Sequence, residues 1–142
     1  MRFMIIRKAD PQTEAWAKPS RELVDAMMAY NESMIRAGVM LGGDGLKPSS
    51  RGHRITFSKG KPKITDGPFA ESKELVAGYT IFQVASREEA LEWVKRWPVE
   101  DADGEVELEL RELYEAEDFG DVVEETVRRH RELIRESSSG EA

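Results

Sequence analysis

The residues best suited to move a proton or hold a polar ligand are concentrated in one stretch, Asp66-Gly67-Pro68-Phe69-Ala70-Glu71-Ser72-Lys73-Glu74. Asp66-Gly67 is turn chemistry, Pro68 fixes its own φ and steers Gly67 away from helix, and Phe69 follows as an apolar anchor. A stiff loop beside a sheet can hold polar groups in place for binding or catalysis. Asp66 is therefore the first candidate acid or base, with Gly67, Pro68, Phe69, Glu71 and Lys73 as ligand-binding candidates around it and Tyr79 beyond them. A carboxylate entering a cleft beside Phe69 and Tyr79 would have its pKa raised by desolvation and lowered by Lys73. The structural alternative is an Asx hydrogen bond within the turn, with Lys73 bridging to Glu71. Asp44, in Gly42-Gly43-Asp44-Gly45-Leu46, and His53 are the other two acid/base candidates.

Other chemistries find little support. The chain has no cysteine, which removes disulfides, thiolate nucleophiles and Cys-based metal sites. Its two histidines, His53 and His130, lack ligand spacing, so no metal site is expected, and Ser72 has no base nearby in sequence. The glycine cluster at 42–45 has neither the Gly-Lys-Ser/Thr ending of a phosphate loop nor dinucleotide-binding spacing, so no cofactor is expected. The net charge of −7 speaks against broad nucleic-acid binding, but it is unevenly spread. Residues 114–142 carry nine acids and four bases, whereas residues 47–63 hold Lys47, Arg51, Arg54, Lys59, Lys61 and Lys63 with no acid. That basic segment is either solvated surface or a rim that steers anionic ligands or an acidic partner. With no signal-like or membrane-length apolar run, the chain reads as cytoplasmic and free of membrane contact.

The elements that must position these groups follow from periodicity. Residues 2–7 are a strand-length apolar run, and residues 10–19 read as a loop holding Trp16 as a plug or a lid. Ser20 caps a helix over 21–37, with Leu23, Met27, Tyr30 and Met34 at helical spacing and Gly38 at its end. Its methionines pack on a sheet or line an adaptable ligand surface. Val39-Met40-Leu41 and the glycines predict a short strand with a bulge, turn or close backbone approach. Residues 53–58 and 62–65 form a hairpin about Lys59-Gly60, and 78–84 form a central strand. Ser86 opens a helix with Ala90, Trp93, Val94 and Trp97 on one face, ended by Pro98, and residues 105–111 alternate as a strand. Asp121 and Glu124 fit a capping box for a charged helix to about residue 136.

The order strand, helix, strand, hairpin, strand, helix, strand predicts an α+β fold: a ferredoxin-like split βαβ unit with an inserted β-hairpin and an extra C-terminal helix. Residues 1–113 form the domain, 114–136 a linker and helix, and 137–142 a disordered tail. Helices cover one face of such a sheet. The other, bearing some combination of Phe3/Ile5, Tyr79/Ile81 or Thr80/Phe82, calls for burial in a face-to-face homodimer.

Asp66-Gly67-Pro68-Phe69 with Glu71, Lys73 and Glu74, preceded by Gly42-Gly43-Asp44-Gly45-Leu46 and followed by Gly78-Tyr79 and the Trp93 helix, resembles the DGPF branch of the YCII-related proteins over residues 1–113. Residues 115–120 are similar to a linker of longer bacterial members. The resemblance implies a dimeric α+β barrel in a family whose members mostly lack an assigned reaction. It also implies a cleft with a His-Asp pair in some relatives, and dehalogenation-like chemistry on small aromatic compounds. The helix over 21–37 has no histidine, so that mechanism is not carried over, and Asp66 is left without a histidine where the relatives have one. Two readings remain. One is a small-molecule lyase-, isomerase- or hydrolase-like protein using Asp66, Asp44 or His53. The other is a regulatory module, because DGPF proteins are often encoded beside extracytoplasmic-function sigma factors, which makes a sigma factor a possible partner.

Overall fold

The computed structural model describes residues 1–70 and 72–140. The opening apolar run forms β1 (Arg2–Lys8), in which Phe3, Ile5 and Arg7 point inward and Met4 and Ile6 outward, the two-residue period of a pleated strand. The expected loop then contains one helical turn, α1 (Pro11–Glu14). Asp10 accepts from the Thr13 N–H at 2.8 Å, the Thr13 hydroxyl takes the Asp10 N–H at 2.9 Å, and Pro11 occupies the first turn. The second helix, α2 (Arg21–Arg36), is capped by Ser20 and ends before Gly38, whose φ of +73° suits glycine.

β2 (Met40–Gly45) takes the glycine cluster into an edge strand, with a register irregularity between Met40 and Gly42. β3 (His53–Ser58) and β4 (Lys61–Asp66) meet through Lys59 and Gly60, both at positive φ as a tight hairpin turn requires. β5 (Val76–Gln83), α3 (Arg87–Lys95) and β6 (Leu108–Glu112) complete the domain. β6 begins three residues later than its alternation predicts. The preceding turn, with Ala102 and Asp103 at left-handed φ, delays pairing.

The main sheet is antiparallel in the order β2-β5-β1-β6, the ferredoxin-like arrangement, and the β3–β4 hairpin stands as a separate two-stranded sheet. Phe3 pairs with Phe82 and Ile5 with Thr80, placing these side chains on the helix-covered face. There they join Tyr30, Met34, Ala90 and Trp93 in the core. The Tyr30 hydroxyl donates to the Trp93 carbonyl at 2.9 Å and ties α2 to α3; burial pushes its pKa up to about 12. Of the combinations expected on the uncovered face, Tyr79 and Ile81 are found there, opposite Ile6 and Met4, whereas Phe3/Ile5 and Thr80/Phe82 belong to the core.

The last helix, α4 (Asp121–Ser139), departs from expectation at both ends. The Asp121–Glu124 box does not form. Gly120 is the cap, and the Glu124 carboxylate is engaged by Arg128. The helix also runs through Ser139, into the segment read as tail; residues 141 and 142 lie outside the described residues. Arg131 clamps α4 to the domain through the Glu115 carboxylate at 2.9 Å and the Tyr114 carbonyl at 2.7 Å, and Arg2 of β1 holds the same two groups.

The glycines of β2 offer a direct check on the packing. A Cβ on Gly43 would lie 2.7 Å from the Tyr79 carbonyl, while one on Gly42 meets nothing within 4 Å. Urea unfolding is expected to show Gly43→Ala destabilised by about 1–3 kcal/mol and Gly42→Ala within about 0.5 kcal/mol of the parent.

Candidate functional site

The Asp66–Phe69 stretch is first a docking device. The Gly67–Pro68 peptide is cis. The Gly67 N–H donates to the Gly52 carbonyl at 3.0 Å, and its Cα lies so close to the Ser49 carbonyl that a side chain there would overlap it. The Phe69 N–H donates to the Ser49 hydroxyl at 3.0 Å. That hydroxyl and the Ser49 N–H in turn donate to the Glu14 carboxylate of α1 at 2.5 and 3.0 Å. The Arg54 guanidinium stacks 4.3 Å from the centre of the Phe69 ring. Gly67, Pro68 and Phe69 thus lock the hairpin base to the α1 side of the domain. Lys73 is exposed, and Glu71 falls outside the described residues.

Sequence reading left Asp66 without a histidine, but the hairpin register supplies one. His53 and Asp66 are direct cross-strand partners, with Nδ1 2.8 Å from Oδ1. The alternation that predicts each strand cannot show which residue faces which until the turn fixes the register. This His-Asp pair is open to solvent, its side chains 61% and 81% exposed, so the desolvated cleft expected around Asp66 is not present within one chain.

A half-open cavity of about 690 Å³ lies elsewhere, between α2 and the sheet. Leu23, Val24 and Met27 of α2 and Met40 of β2 form its apolar wall, so this stripe of the helix lines a cavity as well as packing. Gly43 and Gly78 present bare backbone on the sheet side, with Thr80 between the neighbouring strands. Thr80 is 5% exposed, and Asn31 of α2, also on the cavity wall, holds a buried amide oxygen with no hydrogen-bond partner among the described residues.

At one end of the cavity Arg7 is buried in a closed ionic network. Its guanidinium grips Asp101 through Nη2–Oδ1 at 2.6 Å and Nε–Oδ2 at 3.1 Å, and reaches Asp10 Oδ2 at 2.9 Å and the Lys8 carbonyl at 2.8 Å. Trp97 Nε1–H also donates to Asp101, at 2.9 Å. Burial works against the Arg7 charge, but the two carboxylates outweigh it and raise its pKa. For Asp10, burial pushes upward and is outweighed by the Thr13 N–H and Arg7, which hold the carboxyl below its ordinary value.

The nominated residues therefore separate. Asp44 and Tyr79 border the cavity; Asp66, His53, Gly67, Pro68, Phe69 and Lys73 do not. Asp44 is also the register partner of Tyr79, on the sheet face turned away from α2. Sequence reasoning missed Arg7, Asp10, Asp101 and Asn31. Arg7 had a signal, since it occupies the inward parity of β1 after Phe3 and Ile5. Asp101, 94 residues away, had none. Among the described residues, no three His, Cys, Asp or Glu side chains cluster as a metal site, and no helix is long and apolar enough to cross a membrane.

The model of the YCII-related domain matches residues 1–116. The chain belongs to the YCII-related family. Within it, an uncharacterized protein of Rhizobium meliloti (strain 1021) is 32% identical over 84 residues, spanning 58% of this chain and 68% of the relative. Among solved structures, the chain is similar to the 5-chloro-2-hydroxyhydroquinone dehydrochlorinase of Burkholderia phenoliruptrix AC1100, determined in complex with 2,5-dihydroxybenzoquinone. That likeness has a TM-score of 0.47 at 17% identity and covers 81% of this chain and 95% of the other.

Two measurements check the ionic network. Asp101→Ala leaves the buried guanidinium with only Asp10 and the Lys8 carbonyl, and is expected to lower unfolding free energy by about 2–3 kcal/mol in urea titrations. Because the folded pKa of Asp10 lies below its ordinary 3.8, its stabilising contribution is complete above that value and is lost as pH falls through the folded one. The stability gap between the parent and Asp10→Asn should therefore be constant above about pH 5 and shrink below about pH 4.

Proposed function

We propose that this YCII-related chain binds a small organic molecule in the cavity between α2 and the sheet. The observation that carries this reading is the cavity itself. About 690 Å³ falls within the range of ordinary ligand sites, and it has the expected make-up of an apolar wall with a few placed polar groups. Recognition is better supported than proton transfer at this site. Arg7, Asp10 and Asp101 satisfy one another, and a carboxyl held below its ordinary pKa, as Asp10 is, makes a weak base.

An acid/base reading of lyase or isomerase type is favoured by one observation, the His53–Asp66 pair. Asp66 can hold the imidazole tautomer and orientation while the other ring nitrogen exchanges a proton. The pair lies on the hairpin face that also carries Ile55/Ile64 and Phe57/Pro62, all exposed, so a second protein surface laid on that face would desolvate it. The regulatory reading, with an extracytoplasmic-function sigma factor or with an acidic partner, draws on the same hairpin, whose opposite face carries Arg54, Lys61 and Lys63.

The homodimer part of the proposal rests on the uncovered sheet face. Met4, Ile6, Tyr79 and Ile81 form an apolar centre that a second copy would bury.

The cavity reading is tested by ligand-observed NMR against small aromatic and aliphatic compounds. Hits are expected on the parent chain and lost in Val24→Trp, because Val24 lines the cavity and is 41% exposed, which leaves room for the ring to be accommodated. Hits that survive this substitution would place binding elsewhere, and an absence of hits would remove the reading. For the dimer, light scattering should report twice the chain mass for the parent and a single chain for Ile81→Asp. A parent that stays monomeric at all concentrations refutes the sheet-face interface.

A further inference from the structure

Resting on the cavity reading, we infer that its ligand is a small organic cation, an ammonium or similar head on an apolar body. Cationic groups are scarce among the cavity's side chains. Arg7 is consumed by Asp101, Asp10 and the Lys8 carbonyl, leaving Lys18 as the other cation, on an exposed residue. Against these two bases the boundary carries the acids Asp10, Asp44, Asp101, Glu100 and Asp103. The last two are exposed and follow Pro98 in the loop beneath Trp97. An anion entering here meets carboxylates and an arginine that is already paired, whereas a cation meets an unneutralised excess of negative charge.

The helix supplies the second observation. The Asn31 amide oxygen is buried on a residue that borders the cavity and has no hydrogen-bond partner among the described residues. An amide oxygen only accepts, so an ammonium N–H satisfies Asn31 while the acids offset its charge and a carboxylate cannot satisfy it. The apolar body then lies along Leu23, Val24, Met27 and Met40. Methionine thioethers adapt to varied shapes, which suits recognition by head charge more than by exact outline. The basic hairpin lies apart from this cavity, so its charge does not set the charge preference inside it.

The test uses three probes that share one phenylpropyl body: phenylpropylammonium, phenylpropanol and phenylbutyrate, each titrated into the full chain by calorimetry at neutral pH and low salt. The expected order is ammonium tighter than alcohol by about tenfold, equivalent to about 1.4 kcal/mol, with the carboxylate weakest. Asn31→Leu is expected to weaken the ammonium about fivefold and leave the alcohol less affected. The exposed double variant Glu100→Gln/Asp103→Asn provides a second measure that does not touch the core, and should narrow the gap between ammonium and carboxylate. Carboxylate binding that equals or exceeds that of the ammonium, yet disappears in Val24→Trp, overturns the cation assignment while leaving the cavity reading intact. Ammonium binding unchanged by Val24→Trp overturns the inference because the probe is bound elsewhere. Failure of all three probes overturns the inference, and the compound screen on the parent chain then decides separately whether the cavity binds anything.

Discussion

A guanidinium placed inside a protein must be neutralised and hydrogen-bonded or the fold gives way, and Arg7 imposes that condition on this chain. It sits at the inward parity of a central strand, where a third aliphatic residue after Phe3 and Ile5 would suffice for packing alone. Its charge instead requires Asp101 from the turn before β6 and Asp10 from the cap of α1 to converge on one point, with Trp97 completing the carboxylate's partners. Three parts of the chain that share no strand pairing are thereby drawn to one end of the sheet. The same convergence closes the end of the cavity, and it accounts for the left-handed turn at Ala102 and Asp103, which brings Asp101 inward just before β6 begins.

A second constraint is steric, and it acts through glycine. Gly43 and Gly78 let β2 and β5 approach without side chains on the α2 side, so helix and sheet are held apart by methionines and valine instead of interlocking fully. A cavity results where a more evenly sized set of residues would have left none. Gly67 plays a different part. It permits the Asp66–Phe69 segment to lie flat on the Ser49 carbonyl, and Ser49 relays that contact to Glu14. The charge-rich motif that looks most like an active site in the sequence is, in the fold, the joint holding the hairpin to the domain.

The hairpin and the open sheet face have one property in common. Both leave apolar residues outside the core, Ile55, Phe57 and Ile64 exposed on one and the half-buried Met4–Ile81 and Ile6–Tyr79 pairs on the other. Two-stranded sheets are marginal on their own, and this one is steadied at its base by the Gly67 and Phe69 contacts and by the Arg54–Phe69 stack. The cavity needs no such completion, because every wall of it comes from one chain. The two candidate sites therefore differ in kind. The cavity is preformed, and the His53–Asp66 pair depends on what covers the hairpin.

The sequence alone determined most of the architecture, because local signals act locally. A strand-length apolar run located β1, period-two alternation β3, and aromatic and β-branched enrichment β5, while Ser20 and Ser86 started their helices and Lys59-Gly60 turned the hairpin. Local rules also compete with one another. Asp10 and Thr13 form a capping box in a stretch taken for loop, while Asp121 and Glu124 match the box pattern without forming it, because Arg128 one turn on engages Glu124. Only the tertiary structure decided which candidates share a site. The pairing of His53 with Asp66 depends on hairpin register, the capture of Asp101 by Arg7 on strand order, and the cavity on the distance between α2 and a glycine-lined sheet. Each of these is a relation between residues far apart in the chain, and no single segment encodes it, because register and packing distance exist only after the strands have paired.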